Sequence, residues 1–102
     1  MLQEEIFLNA IINVDSINDA SYDLAELLRK KNRDYGDSFE KQYNEYGLAS
    51  VCIRIEDKLN RLKTALKNGE LSVDDETVID TLQDLSGYAL LGMIIEREKG
   101  KF

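Results

Sequence analysis

The sequence predicts an all-α protein: a compact bundle of about four helices, with the last two long, antiparallel, and able to self-associate. Three observations carry that expectation. The 102 residues include no Pro and only 6 Gly, so little interrupts a helix. Apolar residues recur at i, i+3, i+4 and i+7 along most of the chain, whereas alternation with period two is nowhere sustained. The strongest helix stops, Gly47 and Asn68-Gly69, fall where the apolar periodicity breaks. A chain of this length is expected to form a single domain over 1–102 with one modest core.

Composition narrows the chemistry. Hydrophobic residues make up 43% and charged residues 32%, as in an ordinary globular protein. The net charge of -7, with basic residues dispersed, argues against binding a long nucleic acid but leaves room for a small phosphorylated ligand at a local basic face. Cys52 is the single cysteine and sits at an apolar helical position, which predicts a small core residue and excludes a disulfide within one chain. His is absent, which removes Ser-His-Asp catalysis and His-rich zinc sites. Glu4 and Glu5 stand where a secretory signal would carry cations, and the longest apolar run, Tyr88 to Ile95, is short for a membrane span. A cytoplasmic location, with no membrane partner, is the expectation.

In chain order, residues 1–14 read either as a short helix, the preferred reading, or as an extended arm. Ser16 and Asp19 then resemble a capping box for a helix with the apolar stripe Ile17, Ala20, Leu24, Leu27 and Leu28, ending near Asn32 after Arg29, Lys30 and Lys31. Gly36 is free to take a left-handed turn, and Asp37 or Ser38 to cap the next helix. Phe39, Tyr43 and Tyr46 give that short helix an aromatic face. It would serve either as a wall for a base or, more simply, as packing over the ends of longer helices.

From Leu48 the series Leu48, Cys52, Ile55, Leu59, Leu62, Leu66 predicts a helix that packs through this seam, leaving Arg54, Asp57, Lys58 and Arg61 on its far side. Ser72 and Asp75 predict a second capping box, opening a helix over Glu76 to Ile95. On that helix Val78, Leu82, Leu85 and Ala89 would face the core, and Glu76, Asp80 and Asp84 would form a ladder at i, i+4 and i+8. Like charges so spaced repel by a few tenths of a kcal/mol. The ladder therefore suggests a cation above it, unless it is a solvated acidic face. Beyond Asp84 the helix is apolar nearly all round, which predicts a homo-oligomer through Tyr88 to Ile95, with Gly87 and Gly92 permitting close approach.

Carboxylates on two neighbouring helices are a recurring way to hold Mg²⁺, and Arg or Lys beside such a metal would meet phosphate oxygens. The plainer alternative pairs Asp57 with Arg54 or Arg61 along their own helix as weak surface salt bridges. Two further readings remain: a non-enzymatic oligomerisation or partner-binding module, and an acidic DNA mimic, which the interleaved cations disfavour.

Three strings carry a family resemblance: K-x-x-D-Y-G at Lys31, Asp34, Tyr35 and Gly36; R-x-x-D-K-x-x-R at Arg54, Asp57, Lys58 and Arg61; and E-x-x-x-D-x-x-x-D-L-x-x-Y-A from Glu76 through Asp80, Asp84, Leu85 and Tyr88 to Ala89. Together they make residues 27 to 96 resemble the nucleotide modification associated domain family of phage and prophage proteins. The two acidic helices look like the layout of all-α nucleoside triphosphate pyrophosphohydrolases of the MazG type, which hold Mg²⁺ with carboxylates and cut between the α and β phosphates. The chain departs from the E-E-x-x-E pattern of that superfamily, having Glu56-Asp57 followed by Asn60 and Arg61. The resemblance implies Asp57, Asp80 and Asp84 as metal ligands, completed by Glu76 or Glu56. It implies phosphate contacts from Lys31, Arg54, Lys58 and Arg61, a base stacked on Tyr35 or Phe39, and a metal-bound water as nucleophile. The implied partner is a nucleoside phosphate in nucleotide metabolism or base modification of a bacterial or phage-infected cell.

Overall fold

A computed structural model describes residues 10–35, 37–69, 72–73 and 76–99, without the side chains of residues 34, 35, 72, 73, 76 and 77. Most of the segment expected as a short helix or arm, and the Gly36 turn, lie outside the described residues. Among the described residues four helices run in the order α1 (Val14–Tyr35), α2 (Ser38–Tyr46), α3 (Leu48–Asn68) and α4 (Val78–Lys99), with a small ribbon, β1 (Ser72–Val73) and β2 (Glu76–Thr77), between α3 and α4. The all-α expectation holds. The chain forms two units, Met1–Gly36 and Asp37–Phe102.

In the first unit α1 begins earlier than expected. Asn13, not Ser16, caps it: the Ser16 backbone N–H donates to Asn13 Oδ1 at 2.9 Å, and Ser16 Oγ accepts from the Asn13 backbone N–H at 2.9 Å. This reciprocal pair is a capping box moved three residues upstream, with Ser16 in the place predicted for Asp19. Both residue types cap helices, so spacing alone could not choose between the two boxes. At the other end α1 continues beyond Asn32, and Arg33 is the cation in its last turn.

In the second unit Gly47 and Gly69 end their helices as expected, each at positive φ (69° and 71°), where a side chain would be strained. The Gly69 N–H returns to the carbonyls of Ala65 and Leu66. The expected Ser72/Asp75 capping box lies outside the described residues and side chains, but the helix it was expected to open does not begin at Glu76. Ser72 pairs with Thr77 and Val73 with Glu76 in an antiparallel ribbon, and α4 starts only at Val78. Glu76 therefore lies in β2, outside the helix.

α3 and α4 pack antiparallel, and three contacts set their register. A Cβ on Gly92 would lie 3.3 Å from Val51 Cγ2, Arg54 lies over the Tyr88 ring, and Lys58 meets Asp84. Stepping down α3 from 51 to 54 to 58 thus steps back along α4 from 92 to 88 to 84. Buried and half-buried positions along this line include Val51, Arg54, Lys58, Arg61 and Ala65 on α3, and Thr81, Asp84, Tyr88, Leu91 and Gly92 on α4.

The expected seam on α3 is therefore only partly covered, Ile55 and Leu62 being half-buried. Leu48, Cys52, Leu59 and Leu66 are exposed, and the face expected to be distal packs on α4. Cys52 is accordingly not a core residue. On α4, likewise, Leu82 and Ala89 are exposed, while Val78 and Leu85 are half-buried together with Asp84. Gly92 serves the α3–α4 contact, where Val51 fills the space a side chain would need.

Candidate functional site

The inward face of α3 carries cations. Lys58 Nζ lies 2.9 Å from Asp84 Oδ2, and both side chains are only 15% exposed. One turn away, Arg54 is held from several directions. Its Nε donates to Gln42 Oε1 at 2.9 Å, its Nη2 donates to the same oxygen, and its guanidinium carbon stands 5.5 Å from the Phe39 ring centre and 5.3 Å from that of Tyr88. The Phe39 and Tyr88 rings are parallel to within 7°, with centres 6.3 Å apart. α2 is short, but its i, i+3, i+4 spacing brings Phe39, Gln42 and Tyr43 to one side, which faces α3 and α4. Arg61, on the same stripe as Lys58, is half-buried, and its Nε is 3.8 Å from Asp57 Oδ2.

Beside this group α2 is pinned to the end of α4. The buried Tyr43 hydroxyl donates to Glu96 Oε1, and Lys99 sits over the Tyr43 ring at 5.7 Å. The hydrogen bond to Glu96 is the main cause that pushes the Tyr43 phenol up to about 12, with burial and the Glu96 charge adding to it. The same hydrogen bond holds the Glu96 carboxyl below its ordinary value against the opposing effect of burial, helped by the Lys99 charge.

Of the residues expected to form a site, Arg54, Lys58, Arg61, Asp84 and Phe39 come together. Asp80 is exposed on α4 one turn before Asp84, and Asp57 and Glu56 are exposed on α3. Among the described residues no group of three or more acidic, His or Cys side chains converges as a metal cage. Lys31 is exposed on α1, in the first unit, and the side chains of Tyr35 and Glu76 lie outside the described part. The ladder loses its first rung, because Glu76 belongs to β2. Sequence reasoning missed Gln42, and it placed Tyr88 in a contact between copies rather than beside Arg54. The signal for Tyr88 was present, since it lies four residues beyond Asp84 and so on the same face.

α4 has the length and mean hydropathy of a helix that could cross a membrane, a property shared by core helices of soluble proteins. Here it carries Asp84 in an ion pair and Gly92 against Val51.

Fold and site together define a class: a small helical domain with a cation stripe and an aromatic pair beside a paired carboxylate. The chain belongs to the nucleotide modification associated domain 1 family, whose model matches residues 31–95. No curated protein and no solved structure matches the chain.

Proposed function

We propose that this domain binds a nucleoside phosphate, accompanied by Mg²⁺, along the edge where α2 meets α3 and α4. One observation carries the reading. In a chain of net charge -7, Arg54, Lys58 and Arg61 all lie on the side of α3 turned toward α4, and Arg54 is held by Gln42 and two aromatic rings. A fixed guanidinium offers paired donors to phosphate oxygens, and a Lys ammonium supplies a mobile point charge. The faces of Phe39 and Tyr88 suit a flat heterocycle, because every base has a π-surface to stack. Family membership points the same way.

The residues fit Mg²⁺ in a limited sense. This ion commonly takes one or two carboxylates and completes its shell with water and substrate phosphates. Asp80 and Asp84, one turn apart on α4, meet that need, so the donor set suits an ion that arrives with the nucleotide. Bound there, it would neutralise phosphate charge and lower the pKa of a water. The chain's own part is to bind and orient. Arg54 fixes one phosphate, Lys58 exchanges its partner Asp84 for phosphate oxygens, and Arg61 extends the contact. Hydrolysis between the α and β phosphates, in phage-type nucleotide metabolism or base modification within the cytoplasm, is the reaction class proposed for this site.

The test is thermal unfolding with Mg²⁺ alone, then with Mg²⁺ and each nucleoside triphosphate. A ligand at about 100 times its dissociation constant stabilises the fold by about 2.7 kcal/mol. The expected result is a Mg²⁺-dependent rise in Tm with one class of nucleotide, lost in Arg54→Ala and in Asp84→Asn, followed by an assay for pyrophosphate release. No rise with any nucleotide, or an undiminished rise in both variants, overturns the proposal.

A further inference from the structure

We infer that a second copy of this chain packs on the apolar seam of α3 that borders its α4 contact, the two α3 helices running antiparallel. The face is a long apolar seam: Leu48, Leu59 and Leu66 are 52%, 40% and 76% exposed, Cys52 is exposed, and Ile55 and Leu62 between them are half-buried. Its steps of four and three residues are those of a two-stranded coiled coil. The adjoining stripe of α3 is already committed to α4 through Val51, Arg54 and Lys58. Contiguous apolar surface of this kind marks an interaction site.

The charges beside the seam identify the occupant. On the flank away from α4 stand Glu56 and Lys63, both exposed, of opposite sign and one heptad apart. An antiparallel pair centred between Leu59 and Leu62 sets Leu59 against the partner's Leu62 and Ile55 against the partner's Leu66. The same register brings Glu56 beside the partner's Lys63, and symmetry repeats the contact with the roles exchanged. A parallel pair brings Lys63 toward the partner's Lys58 and gives Glu56 no cation. Flanking charges thus specify orientation as well as partner. The pattern is self-complementary under a two-fold axis, as an isologous interface requires.

Sedimentation velocity of the full chain across a range of concentrations tests this, with far-UV circular dichroism to confirm that every variant is folded. The wild type is expected to dimerise and Leu59→Glu to remain monomeric. Glu56→Lys and Lys63→Glu should each weaken the dimer roughly tenfold, since each reversal turns two attractions into repulsions. The double swap should return the dissociation constant to within about twofold of wild type. A monomeric wild type, the result expected if α1 or nothing covers the seam, overturns the inference. So does an assembly indifferent to Leu59→Glu, or a double swap no tighter than the single reversals.

Discussion

Replacing Asp84 by Asn should cost this protein a large share of its stability before any ligand is added. The substitution keeps the volume and leaves Lys58 charged in a site where its side chain is 15% exposed, facing an amide instead of the carboxylate now 2.9 Å away. An exposed pair would be worth about 0.2–1 kcal/mol. Breaking a fully buried one costs about 3–5 kcal/mol, because the survivor stays desolvated and uncompensated. With most of both side chains covered, the expected loss is roughly 2–3 kcal/mol by the same reasoning. At about 4–8 °C per kcal/mol for a domain of this size, Tm should fall by roughly 10–20 °C. Urea unfolding at fixed protomer concentration measures it, a necessary condition where folding and association are linked. A partner variant sharpens the result: Lys58→Met combined with Asp84→Leu removes both charges and should recover much of the loss, as replacing a buried pair by apolar groups generally does. If Asp84→Asn changes stability by less than about 0.5 kcal/mol, within the range of ordinary surface substitutions, the pair is not desolvated and the reasoning fails.

Three further outcomes are expected. A Cβ at Gly92 meets Val51 Cγ2 at 3.3 Å and Cγ1 at 3.4 Å, so Gly92→Ala should destabilise in urea despite its better helix propensity; in a Val51→Ala background the same change should stabilise by about 0.5–1 kcal/mol. The Tyr43–Glu96 hydrogen bond predicts two pH limbs. The raised phenol contributes stability that is complete below pH 10.0 and lost as pH rises through about 12, while the lowered Glu96 contributes stability present above the usual carboxylate range and lost as pH falls through its folded value. Tyr43→Phe should flatten both limbs in pH-dependent unfolding. Asn13→Ala should remove about 1 kcal/mol from the start of α1 and speed amide exchange in its first turn, whereas Asp19→Ala should leave that turn unchanged.

Helix count, helix type and the glycine stops were legible because they depend on local chemistry. Gly47 and Gly69 end helices through their own conformational freedom, and 3.6-residue periodicity needs no knowledge of the partner. What could not be read was the direction in which each periodic face points. α3 has two stripes, one of Leu and Ile and one of Val51, Arg54, Lys58, Arg61 and Ala65; burial of apolar surface favours the first as core, yet the second is packed. The beginning of α4 was misplaced for a related reason. Ser72, Asp75 and Glu76 carry a good capping pattern, but Ser72 and Glu76 are claimed by a ribbon through pairing with Thr77 and Val73. The site was half legible: the spacing Arg54, Lys58, Arg61 gave the cations, and Gln42 was missed because only tertiary contact brings α2 to them.

This packing of α3 also explains how polar residues can occupy an interhelical seam in so small a domain. Lys58 and Asp84 neutralise one another, Arg54 lays its guanidinium against two rings and donates to Gln42, and Gly92 admits Val51 closely enough to bring the helices together around them. Each group is compensated individually, so the α3–α4 pair holds its charges in fixed positions without relying on a large apolar interior. The buried apolar residues of the described part are only Tyr43 on α2 and Val51 and Ala65 on α3, and no large side chain is fully buried. Such a pair is weakly supported by hydrophobic burial, and the apolar surface that would supply the missing support lies along the adjoining flank of α3, where a second chain can reach it. The division has a functional logic. If the seam within the chain is kept polar to meet phosphate, stability has to come from elsewhere, and an interface on the adjoining flank of the same helix stabilises the site without crowding it. Breaking the dimer with Leu59→Glu should therefore lower the Tm of the protomer and weaken nucleotide binding in step with it, even though Leu59 faces away from Arg54 and Lys58.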